Sequence, residues 1–392
     1  MKRISILLSA AIAFAVPACS NDVKPGGGDD DGSGSGTGSG SGSADQWQQI
    51  LNDRKTDYNY ALRIAALRLT GNLPSMTDVN TVASAAGDAQ RQAYEALIHT
   101  YLDSPAFTTQ ALNFWRDTFK MGGSAMLDSA PAFATKLTVT NGSYTDLFTK
   151  NTGGCPTVSG TTITDVECAN GGPKSGVLTN PGVQQQFFSN FAFRRVRWVQ
   201  ETFDCLRFPA ELSTTGGTDV GGVAPYLGVW PFGSVASPTN GGGRVDFQNV
   251  SSAICANCHT TINHIAPLFA FYDGTGTYKT TVSVPTPLAG TPPPLAQLSD
   301  YLPPGEQYAW RYGKATPDIP TLGQAMAADP DVARCGMARI WNFALGYPDI
   351  VDQLTEVPTQ TIQAQLTAFT QNNYRLKDAF FAAFTSEAFT KF

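Results

Sequence analysis

The segment ICANCHTTINHIAP, Ile254 to Pro267, carries two of the chain's seven cysteines and two of its three histidines. Two residues separate Cys255 from Cys258, and His259 follows directly. On a helical turn, thiols three residues apart can form thioethers to the two vinyl groups of one porphyrin. The next imidazole is then directed beneath the ring, where a nitrogen can bind iron. This reading predicts one haem c (iron) per chain, anchored by Cys255 and Cys258 and ligated by His259. The fold expected with it is mainly α: a multi-helix body, a loop-rich, cytochrome c-like haem-binding region and a small β/loop insertion.

Three other chemistries compete for the same residues. A thioredoxin-type redox pair would need a βαβ pattern, which is missing around the motif. A zinc site from Cys255, Cys258, His259 and His264 would use adjacent residues without the loop spacing usual for zinc. A plain disulfide across three residues would be strained.

Compartment is read from the N-terminus. MKRISILLSAAIAFAVPACS has two basic residues, an apolar run from Ile4 to Val16 and a small-residue cleavage site at Pro17-Ala18. Cys19 then stands where a bacterial lipoprotein is acylated, so residues 1–18 read as signal peptide and Cys19 as the lipidated residue. Export suits the motif, because c-type haem is attached outside the cytoplasm. Residues 19–45 are rich in Gly, Ser and Asp and read as a tether, with a root-mean-square reach of roughly 28 Å. The expected location is exported and lipid-anchored, at the outer membrane or the periplasmic face. A formal net charge of −6 with no basic run argues against nucleic acid as a partner. The expected partners are redox proteins, together with the membrane through the lipid.

In an oxidising compartment few thiols stay free. Cys155 and Cys168 flank a β-branched, turn-rich stretch that reads as a hairpin, and a local bridge is expected there. Cys205 and Cys335 are then left to pair over a long range.

Along the chain, residues 46–135 read as an N-terminal helical domain, with helices over 46–69, a second short helix capped by Thr77 and Asp78, and others near 88–102 and 106–121. Residues 136–182 change to Gly, Thr, Ser and Val and read as the strand/loop insertion. Residues 183–392 hold the haem region and the C-terminal helices. Asp329 and Pro330 predict a helix start over 330–345. Leu376, Phe380 and Phe384 form an apolar stripe within 361–390. His99 follows Arg91 and Glu95 at i+4 steps and reads as solvated.

Beyond the motif, CANCHTTINHIAPLFAFYDGTGTY (255–278) resembles a family of exported bacterial proteins of unknown function with planctomycete-type cytochrome c domains. There the haem motif is followed by Asp-Pro-hydrophobic-Gly-Phe and then Phe-Asp-x-x-Gly-x-Tyr. Tyr272-Asp273, Gly276 and Tyr278 fall in that frame. LRLTGNLPSMTDV, YLDSPAF, GVLTNPG, RWVQETFDCLRFPAE, ADPDVARCGMARIWNFALG and NNYRLKDAFFAAFTSEAF resemble further family signatures, in order, from about residue 60 onward. The chain departs from the pattern at Asn263-His264, Ala266-Pro267 and Ala270-Phe271.

The sixth iron ligand has no motif. His264 lies five residues after His259, too close to reach the other face of the ring, and reads as a propionate partner or a surface residue. Met326 ranks first and Met337 second, with Met121 and Met126 behind them. Ile262, Ile265, Leu268 and Phe269 are candidates to dry the pocket. The function expected is a lipid-anchored monohaem cytochrome that transfers electrons, rather than a catalyst. The alternatives are a peroxidase-like or oxidoreductase haem enzyme with an open distal site, and a haem-free cell-surface interaction lipoprotein.

Overall fold

A computed structural model describes Gln49 and residues 52–208, 253–286, 288 and 290–392; of 253–258, 260 and 312 it describes the backbone. The signal peptide, the tether, Cys19 and the Gly/Pro-rich stretch 209–249 lie outside the described residues, as do the side chains of Cys255 and Cys258. Residues 54–392 form one compact unit. The boundaries expected after residues 135 and 182 run through its single shared core.

Five helices begin the body: α1 (Tyr58–Thr70), α2 (Met76–Ala83), α3 (Asp88–Asp103), α4 (Pro105–Phe119) and α5 (Ala125–Val139). Capping chemistry sets their limits. The Asp57 carboxylate accepts from the Tyr60 amide at 2.9 Å, and Gly71, at φ 74°, closes α1 in the left-handed region. At α2 the cap is Ser75 rather than Thr77: Ser75 and Asp78 bond each other's backbone amides reciprocally, and Asp78 takes the third helical position. The helix expected over 46–69 is interrupted: Gln49, Asn52 and Asp53 are helical, residues 54–57 are not, and α1 begins at Tyr58. The intervening residues are drawn into backbone pairing with the C-terminal residues, Lys55 exchanging two 3.0 Å hydrogen bonds with Phe392.

The middle of the chain holds two short helices, α6 (Asp146–Thr149) and α7 (Pro181–Gln186), and a hairpin of β1 (Thr157–Ser159) with β2 (Thr162–Thr164). The hairpin is closed at its base by the Cys155–Cys168 disulfide. Next come α8 (Phe193–Phe203), α9 (Ala253–Phe269), a small ribbon of β3 (Ala309–Trp310) with β4 (Lys314–Ala315), and α10 (Ile319–Ala327). The chain closes with α11 (Pro330–Leu345), α12 (Val351–Thr355), α13 (Thr359–Gln371), α14 (Leu376–Phe384) and α15 (Glu387–Thr390). The structure is mainly helical. Asp329 caps α11 and Pro330 opens it, as the sequence pattern predicts.

Helix α8 sits centrally, against α4, α9 and α11. Aromatic edges join the two ends of the chain through the core: Phe114 meets Phe343 and Phe380 edge-on at 5.3 and 5.2 Å. The buried Tyr94 hydroxyl donates to the Phe384 carbonyl at 2.6 Å. A second disulfide, Cys205–Cys335, fastens the end of α8 to α11.

Beside that disulfide, Arg311 ties α8 to the start of α11. It bonds Asp204, donates to Asp331 at 2.7 Å and lies 3.7 Å from Asp329. Burial raises the Asp204 carboxyl to about 7, with Arg311 opposing it less strongly. A raised acid pKa means the folded protein holds this proton more tightly than the unfolded chain between about pH 4 and 7. This group's contribution therefore falls as pH rises through that window and levels off above it. Asp204→Asn is expected to flatten the slope, by up to about 1.4 kcal/mol per pH unit. Urea midpoints measured from pH 4 to 8 check this, and parallel wild-type and variant profiles would refute it.

Candidate functional site

Helix α9 carries the Cys-x-x-Cys-His segment in its first two turns. At about 100° per residue, positions 255, 258 and 259 fall within about 100° of arc on one side of the helix. The spacing therefore places both cysteine positions and the histidine on a common face.

His259 is half-buried, and its Nδ1 lies 2.8 Å from Oδ1 of Asn263, one turn further along. Asn263 is buried. With Oδ1 as the acceptor, Nδ1 carries the proton and Nε2 the lone pair, the tautomer an iron ligand requires. Burial pushes the imidazole pKa below its ordinary value, the Asn263 bond opposing this in part, so the neutral form prevails at neutral pH. These residues fit a histidine that ligates through Nε2.

An aromatic wall stands beside it. The Phe193 ring meets His259 edge-on at 5.1 Å, and Phe191 and Tyr301 pack against Phe193 at 5.5 and 5.9 Å. Two successive residues without glycine's freedom, Phe191 (φ 57°) and Ala192 (φ 60°), turn the chain through the left-handed region just before α8. Each costs on the order of 1 kcal/mol. The result is a sharp start to α8 that sets Phe193 against the histidine with Phe191 packed behind it. Of the residues expected to dry the pocket, Ile262 and Phe269 stay nearest the His259 side of α9. Leu268, nine residues on, comes round to the opposite side.

The far end of α9 is held by Arg195, which is fully buried. Its guanidinium donates to four carbonyls, those of Gln184, Phe269, Tyr272 and Asp273. Phe269 is the last residue of α9, so a cation sits where the helix dipole is negative. Burial lowers the Arg195 pKa to about 9, which leaves it charged at neutral pH. The turn that follows is built on Asp273, whose Oδ1 accepts from the amides of Thr275 and Thr277. Burial alone would raise its pKa, but hydrogen bonds from Thr275, Lys279 and Thr277 bring it down to about 2. Gly276 is required here, because a Cβ at this position would lie 2.2 Å from the Pro181 carbonyl oxygen.

The remaining candidates are placed as follows. His264 Nε2 lies 3.1 Å from Glu306 Oε2 at the protein surface. His99 is exposed and stacks on Phe381 at 4.0 Å. Met326 on α10 and Met337 on α11 are fully buried, and β3 lies against both α9 and α10. Met121 is buried and Met126 exposed. Among the described residues, no group of three or more His, Cys, Asp or Glu side chains could hold a metal ion, and no helix is long and apolar enough to cross a membrane.

Asn263 and Arg195 were not singled out from sequence. The i+4 step from His259 to Asn263 was a readable signal for the first. Arg195 gave none, since its partners come from two distant segments, residue 184 and residues 269–273. No family model, no curated protein and no solved structure matches the chain.

Proposed function

We propose that this protein is a lipid-anchored, monohaem c-type cytochrome that passes electrons outside the cytoplasmic membrane. The observation that carries the reading is His259, directly after Cys255-x-x-Cys258 on one helix, with Nδ1 engaged by a buried Asn263. Cys255 and Cys258 would hold the ring and His259 the iron, and the haem would supply reversible one-electron exchange. The chain's own contribution is to fix the imidazole's tautomer and orientation and to keep it neutral. Phe193, backed by Phe191 and Tyr301, covers one side of it. Met326, then Met337, would be the candidate for a second iron ligand.

The engagement of the other two histidines favours a carrier over a haem enzyme. His264 faces Glu306, and His99 lies flat on Phe381. Neither arrangement resembles an acid-base group held over an open iron site.

The test is a pyridine haemochrome spectrum of protein made with a cytochrome c maturation system, beside Cys258→Ala. A covalent c-type spectrum, at least halved in amplitude in the variant, is expected. A low-spin iron would support the carrier and a high-spin iron the enzyme. A colourless wild-type protein, with maturation working on a control cytochrome, would sink the haem reading.

A further inference from the structure

A cavity of about 270 Å³ lies where α8 meets the end of α4 and the segment between α11 and α12. At ~30 Å³ per water molecule this is room for about nine non-hydrogen atoms. No residue of α9 lines it.

Its charge is unbalanced. Lys120, Arg194, Arg197 and Arg339 line it against two carboxylates, Glu201 and Asp349. Both carboxylates are already engaged. Arg197 donates to Glu201 at 2.8 Å. Asp349 is paired with the buried Arg339 and accepts from the Thr118 hydroxyl at 2.7 Å. Lys120 Nζ reaches only a peptide oxygen, that of Asp349, at 2.6 Å. The exposed Arg194 guanidinium makes no hydrogen bond or ion pair among the described residues. Two positive charges are left over, in a chain whose formal net charge is −6.

The backbone adds an independent sign. Lys120 ends α4 at φ 54°, in the left-handed region where helix ends favour glycine. A lysine here costs on the order of 1 kcal/mol, and it puts a cation at the cavity mouth. The opposite character is present too. Phe187 and Trp198 stack at 5.3 Å and, with Val351, supply an apolar wall.

We propose that this cavity binds a small organic carboxylate, its acid group held by Lys120 and Arg194 and its carbon frame against Phe187 and Trp198. The binding does not depend on haem. Inorganic phosphate would meet the same cations but leave the apolar wall uncovered, so it binds less tightly.

Titration calorimetry on the full chain tests this, with benzoate and inorganic phosphate as probes at an ionic strength held constant with sodium chloride. Saturable benzoate binding is expected, weakened about tenfold or more in Lys120→Gln/Arg194→Gln. Arg63→Gln, an exposed change on α1, should bind as wild type. Both altered cavity residues are exposed, so the double variant should melt within a degree or two of wild type. Three results would overturn the proposal: no saturation by benzoate, a double variant that binds as wild type, or tighter binding of phosphate than of benzoate.

Discussion

Arg195→Met should destabilise the body by about 2 kcal/mol or more. The guanidinium serves four backbone carbonyls inside the core, and methionine serves none. The Phe269 and Asp273 carbonyls keep the amides of Tyr272 and Gly276, but those of Gln184 and Tyr272 lose their donor, and each orphaned acceptor costs about 1 kcal/mol at the least. A competing effect is that methionine also removes a desolvated charge, and exchanging a buried ion pair for apolar residues can be neutral. That relief needs both partners replaced, and peptide carbonyls cannot be mutated away. The orphaned acceptors therefore decide the sign. Arg195→Lys keeps the charge but has three donors on one atom, and should lose roughly half as much. Urea unfolding followed by far-UV circular dichroism gives both values, provided the slope with denaturant is unchanged. A methionine variant within about 1 kcal/mol of wild type would show that the carbonyls find other donors.

The second large effect is expected from Cys205→Ala/Cys335→Ala. This bridge joins residues 130 apart in sequence, against 13 for Cys155–Cys168. In the chain-entropy model the long bridge contributes about 5 kcal/mol and the short one about 3. The gap should widen in practice, since Cys335 is fully buried and sits at the α8–α11 contact while the short bridge serves a peripheral hairpin. A domain's whole stability is about 5–15 kcal/mol, so the long-bridge variant should be close to unfolding at 37 °C. Denaturation of the two double variants side by side measures this. Equal losses would mean that the unfolded chain is already compact across the long loop.

Local signals in the sequence were easy to read where the physics is local. Asp329-Pro330 announces α11, and the stripe Leu376, Phe380, Phe384 marks the buried face of α14. The β-branched run between Cys155 and Cys168 folds as a hairpin. At the motif the sequence implies only a helical turn for Cys255, Cys258 and His259, and the helix extends it to Phe269. What escaped reading depends on distant segments. Arg194, Arg195 and Arg197 look alike in FRRVRW, yet one is fully buried and two line a cavity. Only carbonyls contributed by residues 184 and 269–273 separate them. The break at 54–57 within the expected first helix escapes reading for the same reason, since those residues answer to the last residues of the chain rather than to a helical pattern.

That last pairing has a topological consequence. Thr56 bridges Lys391, Asp57 donates to Thr390, and Lys55 and Phe392 bond each other in both directions. The folded body is therefore nearly a closed loop of chain. A short linker from Phe392 back to Arg54 would complete the ring without moving any element. The ring could then be opened at Gly160-Thr161, the exposed tip of the hairpin, to give a permuted protein with the same core.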